Sequence, residues 1–202
     1  MIAEVDRGVR TLCGVHAGER PLPGRELPEA DQDETARRHA AGLMRVNHCG
    51  EVCAQALYQG QALASTNEDL KRRLHAAARE EDDHLAWTES RIHELGGRTS
   101  VLNPLWYLGS LALGYAAGKA GDAWNLGFLK ETEQQVERHL QGHLERLEPD
   151  DGRTRAIVAQ MKIDEAGHAN MAARLGAREL PVPVKRAMAG VAKFMTTLSY
   201  RI

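Results

Sequence analysis

Apolar residues recur at helical spacing along most of the chain, and no stretch alternates in the manner of a β-strand. Between residues 70 and 95, for example, one side of a helix collects Leu70, Leu74, Ala77, Leu85 and Ile92. The pattern predicts six helices. They cover residues 33–65, 68–95, 104–120, 123–148, 152–176 and 183–199.

Turn-forming residues separate the predicted helices. Thr66-Asn67 and Gly96-Gly97 interrupt the pattern, and Asn103-Pro104 predicts an N-cap followed by proline at the first helical position. The first thirty residues are polar and contain proline and glycine. We therefore predict a flexible lead over residues 1–30 and a single helical domain over residues 31–202.

Composition supports an all-α domain. The chain has 202 residues, which is long enough for one substantial core, and its aromatic content is only 4%. Its many Ala, Leu, Glu and Arg residues favour helices. The net charge is −2 with both signs mixed along the chain, so nothing indicates a nucleic acid as partner.

The cysteines indicate a reducing compartment. Cys13, Cys49 and Cys53 are odd in number and form no paired CxxC pattern. Cys49 and Cys53 are four residues apart and have the spacing to share a soft metal, but we favour ordinary helix thiols. The N-terminus lacks an apolar region followed by a cleavage site, so we do not expect secretion.

Two Glu-x-x-His motifs carry the first sign of chemistry. In IDEAGH, residues 163–168, Glu165 and His168 lie on the same side of their helix as Val158 and Met161. A carboxylate buried on such a face is costly unless it is paired, protonated or bound to a cation. The segment EEDDH, residues 80–84, repeats the pattern on an apolar helix face.

Each motif follows a helix with a single inward glutamate, Glu51 in NHCGEV and Glu133 in KETEQQVERH. The offset between these two glutamates is 82 residues, and the offset between the two Glu-x-x-His motifs is 84. Duplication of a helical hairpin explains the spacing.

Four inward carboxylates and two imidazoles form the ligand set of a carboxylate-bridged dinuclear metal centre in a four-helix bundle. Two divalent ions would balance the four negative charges, and oxygen-rich ligands with one imidazole per metal favour iron or manganese over structural zinc. A lone Glu-x-x-His usually marks a solvated helix face, whereas two in matched context are far more specific. The predicted ligands are Glu51 and His84 for one metal, Glu133 and His168 for the other, and Glu81 and Glu165 as bridges.

The remaining histidines receive less specific predictions. We expect surface positions for His16, His39, His75 and His93, and an exposed helix position for His143. His48, one turn before Glu51, and His139, six residues after Glu133, are candidates to contact the ligands. Tyr58 is predicted to be a packed core residue rather than a redox participant.

An uncharged segment, NPLWYLGSLALGYAAG, separates the two hairpins at residues 103–118. It is too short and glycine-rich for a transmembrane span, and we predict a helix in the bilayer interface. The basic, weakly amphipathic tail has the same interpretation, with an apolar side formed by Val184, Met188, Val191, Met195 and Leu198. Burial within the bundle or at a homo-oligomer interface is the alternative for both segments.

Five stretches together resemble the demethoxyubiquinone hydroxylase family of ubiquinone biosynthesis: LMRVNHCGEVCAQALYQGQAL, EEDDHLAW, NPLWYLGSLALGYAAGKAGDAWNLGF, ETEQQVERHL and DEAGHA. The resemblance runs from about Leu27 to the C-terminus. It implies a ferritin-like di-iron monooxygenase, peripheral to the cytoplasmic face of the cell membrane. Its substrate would be the quinol 2-polyprenyl-3-methyl-6-methoxy-1,4-benzoquinol, hydroxylated with dioxygen.

The family's motifs match the same six ligands, and they imply that His139 lies near two iron ions bridged by Glu81 and Glu165. Where some members carry tyrosine after that histidine, this chain has Leu140, so an electron-relay role for tyrosine there does not transfer. The electron donor is unidentified: no GxGxxG motif is present, which implies a separate reductase or the quinol itself. Other ubiquinone-biosynthesis proteins or a second copy of the chain are further candidate partners.

Three alternatives stay open, because the same ligands serve several reactions. The first is a ferritin- or rubrerythrin-like protein that stores iron or removes peroxide, although the chain lacks a CxxC rubredoxin motif and a ferritin would not need the central apolar helix. The second is a di-iron hydroxylase of another substrate, even modified tRNA. The third is a bundle that docks other proteins on the membrane and has only a structural metal.

Overall fold

A computed structural model describes residues 2–16 and 18–202, which form seven α-helices and no β-strand. The helices are α1 (Ile2–Leu12), α2 (Glu34–Ala64), α3 (Glu68–Glu94), α4 (Asn103–Lys119), α5 (Asp122–Arg146), α6 (Gly152–Arg174) and α7 (Val182–Ser199). The all-α prediction is confirmed. Each of the six predicted helices is present with ends within two residues of the predicted ones.

Helices α2, α3, α5 and α6 form the central bundle. The pairs α2–α3 and α5–α6 are hairpins, and further contacts join α3 to α6 and α2 to α5, which closes a ring of four helices. Leucines from both hairpins meet in its core, among them Leu70 and Leu74 of α3 and Leu126 and Leu129 of α5. The predicted ferritin-like four-helix bundle is confirmed.

Side-chain caps explain where three bundle helices begin. Asp33 accepts a hydrogen bond from Ala36 N–H, Asn67 from Asp69 and Leu70 N–H, and Asp151 from Thr154 N–H. The predicted cap at Asn103 is wrong. Leu102 precedes α4 without a side-chain cap, and the Asn103 side chain instead lies within 3.4 Å of the His48 ring.

The N-terminal lead contains a helix that the sequence analysis missed. Helix α1 is only eleven residues long, and the prolines and glycines that follow it dominated the prediction. Gln59 Nε2 of α2 donates to the Glu4 carbonyl oxygen at 2.7 Å, and Arg7 Nη1 lies 2.9 Å from His75 Nδ1 of α3. The division of the chain at residue 30 stays a prediction, but this part of the lead is structured against the bundle.

Arg91 ties the lead to the end of the bundle. Its side chain is completely buried and forms ion pairs with Glu29 of the lead, Glu94 of α3 and Asp151 before α6. Because a guanidinium buried without partners would be very costly, this network fixes all three segments together.

Helix α4 packs on α2 through glycines. A Cβ at Gly114 would meet the backbone of Leu57, and one at Gly118 would lie 2.6 Å from Ala64 Cβ. This close approach turns the opposite face of α4 outward, where Leu105, Leu108 and Leu113 are exposed. The burial alternative thus holds for the inner face of α4, and contact of its outer face with a bilayer stays a prediction.

Helix α7 lies on the surface and packs mainly on α2, and Ser199 is its one fully buried residue. Four of the five residues predicted to form its apolar side are half-buried, and Val191 is exposed. The Trp106 and Phe194 rings meet edge to face at 6.1 Å and join α4 to α7. Cys49 and Cys53 face Met195 of α7 as free thiols. None of the helices in the described ranges is long and apolar enough to cross a bilayer.

Candidate metal centre

The six predicted ligands come together inside the bundle. Each is at most 6% exposed. Ligand atoms of the first group lie within 4.8 Å of one another, and so do those of the second. The first group is Glu51, Glu81, His84 and Glu165, and the second is Glu133, Glu165 and His168.

Glu81 and Glu165 each direct one oxygen toward each histidine. Glu81 places Oε2 at 2.7 Å from His84 Nδ1 and Oε1 at 3.2 Å from His168 Nδ1. Glu165 places Oε1 at 3.5 Å from His84 Nδ1 and Oε2 at 3.2 Å from His168 Nδ1. Two carboxylates that span the same pair of imidazoles have the arrangement of bridging ligands between two metal ions.

The other two glutamates lie at opposite ends of this arrangement. Glu51 Oε2 is 3.6 Å from His84 Nδ1, whereas Glu133 groups with His168. Glu133 Oε1 also accepts a hydrogen bond of 2.7 Å from the Tyr58 hydroxyl. Tyr58 is buried in the core as predicted, but its bond to a ligand was missed.

The charges of the cluster fit divalent cations. Burial raises the pKa of Glu51 and of Glu133 well above the usual range, so both carboxyl groups resist ionisation without a cation. Burial also opposes ionisation of Glu81, but the two imidazoles outweigh it and hold the Glu81 pKa below its usual value. Although both Glu81 oxygens lie close to imidazole nitrogens, neither they nor His84 Nδ1 form a hydrogen bond of favourable geometry. Buried oxygens without donors are suited to bind metal ions.

Two outer carboxylates orient the histidines, and the sequence analysis missed both. His84 Nε2 is 2.9 Å from Asp164 Oδ2, and His168 Nε2 is 3.2 Å from Glu80 Oε2. Each acid directly precedes the glutamate of the opposite Glu-x-x-His motif, a signal present in EEDDH and IDEAGH. Such bonds fix the ring and turn Nδ1 toward the centre.

Asp164 is itself held by the N-terminal lead. Arg20 Nη1 lies 2.9 Å from Asp164 Oδ2, and Arg20 Nε lies 2.6 Å from Asp83 Oδ2. Asp83 Oδ1 also accepts from the backbone N–H of Glu19 and of Arg20. The loop before α2 therefore positions one histidine through Asp164.

Several histidines are not where the sequence predicted them. His143 is 2% exposed because it shares the buried face of Leu140 and Leu147, and the His16 side chain is 3% exposed. Both surface predictions are wrong. His39 and His75 are half-buried, and only His93 is exposed.

His48 and His139, the two histidines predicted to contact the ligands, contact other histidines instead. The His139 ring lies 4.0 Å from that of His143, and no hydrogen bond or ion pair joins His139 to the six residues in the ranges described. Its place beside the metals stays a prediction. The His48 ring faces His16 instead of Glu51.

Comparison with known proteins agrees with this architecture. A sequence model of the family described as Ubiquinone biosynthesis protein COQ7 matches residues 38–199. A 3-demethoxyubiquinol 3-hydroxylase of Chromobacterium violaceum is 62% identical over 203 residues, covering 100% of this chain and 98% of the relative. Proteins of the same name from Dechloromonas aromatica and Herbaspirillum seropedicae are 60% and 54% identical, each over 100% of this chain and 97% of the relative. The resemblance seen in the motifs is confirmed, and the chain belongs to the COQ7 family of ubiquinone biosynthesis proteins.

Proposed function

We propose that the protein catalyses the reaction for which these relatives are named, the hydroxylation of a demethoxylated ubiquinol ring, as an iron-dependent monooxygenase. The observation that carries the proposal is the pair of buried glutamates, Glu81 and Glu165, that each span both histidines. A centre that holds two metal ions side by side suits a reaction in which dioxygen is divided between product and water.

The predicted roles of the six ligands follow from their positions. Glu51 and His84 would hold one iron, Glu133 and His168 the other, and Glu81 and Glu165 would bridge them. Asp164 and Glu80 keep the Nδ1 atoms of the two histidines directed inward. When bound, an iron pair supplies the redox chemistry that activates dioxygen, which no amino-acid side chain provides.

The protein itself contributes the positions of the ligands and the exclusion of water from the site. One oxygen atom is inserted into a ring C–H bond to give C–OH, and the other leaves as water, which consumes two protons and two electrons from a separate donor. Apolar residues from both hairpins, including Tyr58, Leu74 and Leu129, enclose the site on one side. This dry environment strengthens each electrostatic contact to the metals and protects the reactive centre from solvent.

A membrane location at the cytoplasmic face forms the second part of the proposal. Leu105, Leu108 and Leu113 of α4, with Val191 and Phe194 of α7, form an exposed apolar surface, here called the α4–α7 surface. Exposed Arg186 and Lys193 of α7 would suit anionic headgroups. A quinol with a long polyprenyl tail would then reach the protein from the bilayer.

Complementation tests the reaction. The gene should restore ubiquinone in a bacterial mutant that lacks the hydroxylase, measured by mass spectrometry of extracted quinones, and the Glu165→Gln variant should not. Metal analysis of anaerobically purified protein should find iron. Accumulation of the demethoxylated quinone with wild-type protein, or a centre that holds only zinc, would contradict the proposal.

Liposome flotation tests the membrane surface. Replacing Leu105 and Leu108 by Glu should weaken flotation and should reduce turnover of a long-tailed quinol more than that of a short-tailed analogue, because a carboxylate is costly among acyl chains. Ile163→Glu is the matched control, since Ile163 is equally exposed but lies on α6. Leu111 is unsuitable for this test, because it is half-buried against the core cluster that contains Tyr107. Unchanged flotation of the double variant would make α4 an oligomer contact.

A further inference from the structure

A second group of metal-ligating side chains lies outside the glutamate-rich centre. His16 of the lead, His48 of α2 and Glu89 of α3 each offer a ligand atom, and these atoms lie within 4.8 Å of one another. The His16 and His48 ring centroids are 6.2 Å apart at an interplanar angle of 66°. His16 Nε2 is 3.3 Å from Glu89 Oε2.

Three of the four imidazole nitrogens in this group are buried and make no hydrogen bond. His48 is 3% exposed, and its Nε2 has no hydrogen-bond partner. The His16 side chain is also 3% exposed, and neither of its ring nitrogens makes a hydrogen bond. Buried imidazole nitrogens almost always find a hydrogen-bond partner in folded proteins. His48 Nε2 has none, and His16 Nε2 lies 3.3 Å from Glu89 Oε2 without forming a hydrogen bond, so the arrangement requires an explanation.

Both imidazoles are in the form that binds metal. Burial lowers the pKa of His48 to about 3, and burial also lowers the pKa of His16 although the Glu89 carboxylate opposes this. Arg10 acts on His16 in the same direction as burial. Neutral imidazole nitrogens have free electron pairs, and metal binding requires that form.

Asn103 completes the surroundings of His48. Its side-chain amide lies 3.4 Å from His48 Nδ1, and its Oδ1 is buried without a partner. With the amide turned so that Oδ1 accepts from Nδ1–H, the electron pair of His48 lies on Nε2, the ring nitrogen away from Asn103. This is the usual way in which proteins orient a metal-binding histidine.

The backbone also brings the lead close to Glu89. Gly14 has a φ of +68°, and a Cβ there would lie 2.9 Å from Glu89 Oε1. Only glycine adopts this turn without strain while the chain passes so near the carboxylate. The turn at Gly14 places His16 over the α2–α3 pair.

We propose that His16, His48 and Glu89 form an additional metal site, which binds a single divalent transition-metal ion such as Zn²⁺. Two imidazoles and one carboxylate form a recognised ligand set for Zn²⁺ and for other ions of this class, and they leave a position for water or a further ligand. The ion fastens the N-terminal lead to the same two helices that carry Glu51 and His84.

Metal counting tests the site. Metal-free protein is dialysed to equilibrium against Zn²⁺, and bound zinc per chain is measured by mass spectrometry. The His16→Ala and Glu89→Gln variants should each bind one ion fewer than wild type. His75→Ala is the matched control, because His75 also joins α3 to the lead, through Arg7, but lies outside the group. Equal zinc in wild type, His16→Ala and Glu89→Gln would overturn the proposal.

The same measurement in a Glu165→Gln background separates this site from the proposed iron centre. Zinc that persists there and disappears when His16→Ala is added belongs to the new site, whatever the fate of the glutamate-rich centre. Zn²⁺ should also slow tryptic cleavage after Arg10 several-fold in wild type and not in His16→Ala. Cleavage that zinc leaves unchanged in wild type would contradict the fastening of the lead.

Discussion

In the α2–α3 hairpin the ligand histidine His84 has no exposed surface, whereas in the α5–α6 hairpin the equivalent His168 is 6% exposed. Their outer partners differ more. The Asp164 side chain beside His84 is 11% exposed and paired with Arg20, while the Glu80 side chain beside His168 is 52% exposed. Arg20 therefore reinforces His84 through Asp164. In the other half, Glu80, the partner of His168, is open to water.

The difference shows what the duplicated sequence specifies and what it leaves to the surroundings. Helical spacing places equivalent ligands in both hairpins, so the inner geometry is nearly symmetric. Arg20 of the lead forms an ion pair with Asp164 on the His84 side. Within the described residues the lead forms no ion pair with Glu80, whose pKa is lowered by its hydrogen bond to His168 and only from a distance by Arg20. We expect the His84 half of the centre to hold its metal more rigidly than the His168 half.

Removing a bridge should have the largest effect, because it acts on both halves at once. Glu165→Gln keeps the shape but removes a charge and a bridging oxygen. We expect loss of both metal ions and of hydroxylation, beyond the ~10–100-fold typical of groups that only surround a metal ligand. Circular dichroism should remain helical.

Glu51→Gln and Glu133→Gln sharpen this test, since each should impair mainly one half. Measured metal per chain should fall less in these variants than in Glu165→Gln. An unfolded spectrum for Glu165→Gln would mean that the residue is mainly structural. Equal loss in all three variants would mean that Glu165 is not a bridge.

Removing the outer carboxylates tests directly whether the His84 half holds its metal more rigidly than the His168 half. Asp164→Asn should lower metal affinity toward the upper end of a ~10–100-fold range, because it loosens His84 and leaves Arg20 with one partner fewer. Glu80→Gln should lower it by about tenfold or less, since water can replace a partner that is half exposed. Metal titration of both variants is the measurement. A larger loss for Glu80→Gln would reverse the comparison.

Helical periodicity was enough to predict the bundle and the six side chains that it brings together, and their role as metal ligands stays a prediction. The six ligands share a side of their helices with apolar residues, and caps such as Asp33 and Asn67 fixed the helix ends. Contacts between segments far apart in sequence were not predictable in this way. Arg20 and Asp164 are 144 residues apart, and nothing local indicates their pairing.

The two missed burials, of His143 and His16, have different causes. His143 lies on an apolar stripe that would have indicated burial, but the burial of His16 depends on a loop that folds onto two helices. A loop has no periodicity from which a buried face can be recognised. The glycines that let α4 approach α2 were likewise visible in the sequence, but not their partner helix.

The hydrogen bond from Tyr58 to Glu133 partly compensates the weaker half. Tyr58→Phe removes the donor and leaves a buried carboxylate oxygen without it, at a cost of about 1–3 kcal/mol. We expect metal occupancy to fall at the His168 half and any loss of unfolding free energy to stay within this range. Tyr107→Phe is the control. Tyr107 is also a buried hydroxyl donor, but its acceptor is Gln59, which is not one of the six candidate ligands. Equal effects of the two variants on metal occupancy would mean that the Tyr58 hydrogen bond does not support the His168 half.

Substitutions on the outer face of α3 should have the smallest effect on metal binding and stability. Arg72 and Arg73 both pair with Asp69, and their side chains are 70% and 47% exposed. Exposed pairs of this kind contribute about 0–1 kcal/mol, since water and salt screen them. Replacing both arginines by Ala should leave the metal count unchanged and alter the free energy of unfolding in urea by less than about 1 kcal/mol. Arg20→Ala, which removes a cation from Asp164, should instead lower metal affinity. If the Arg72 and Arg73 variant lost metal as Arg20→Ala does, the support of His84 would come from the charge of α3 as a whole and not from the link through Asp164.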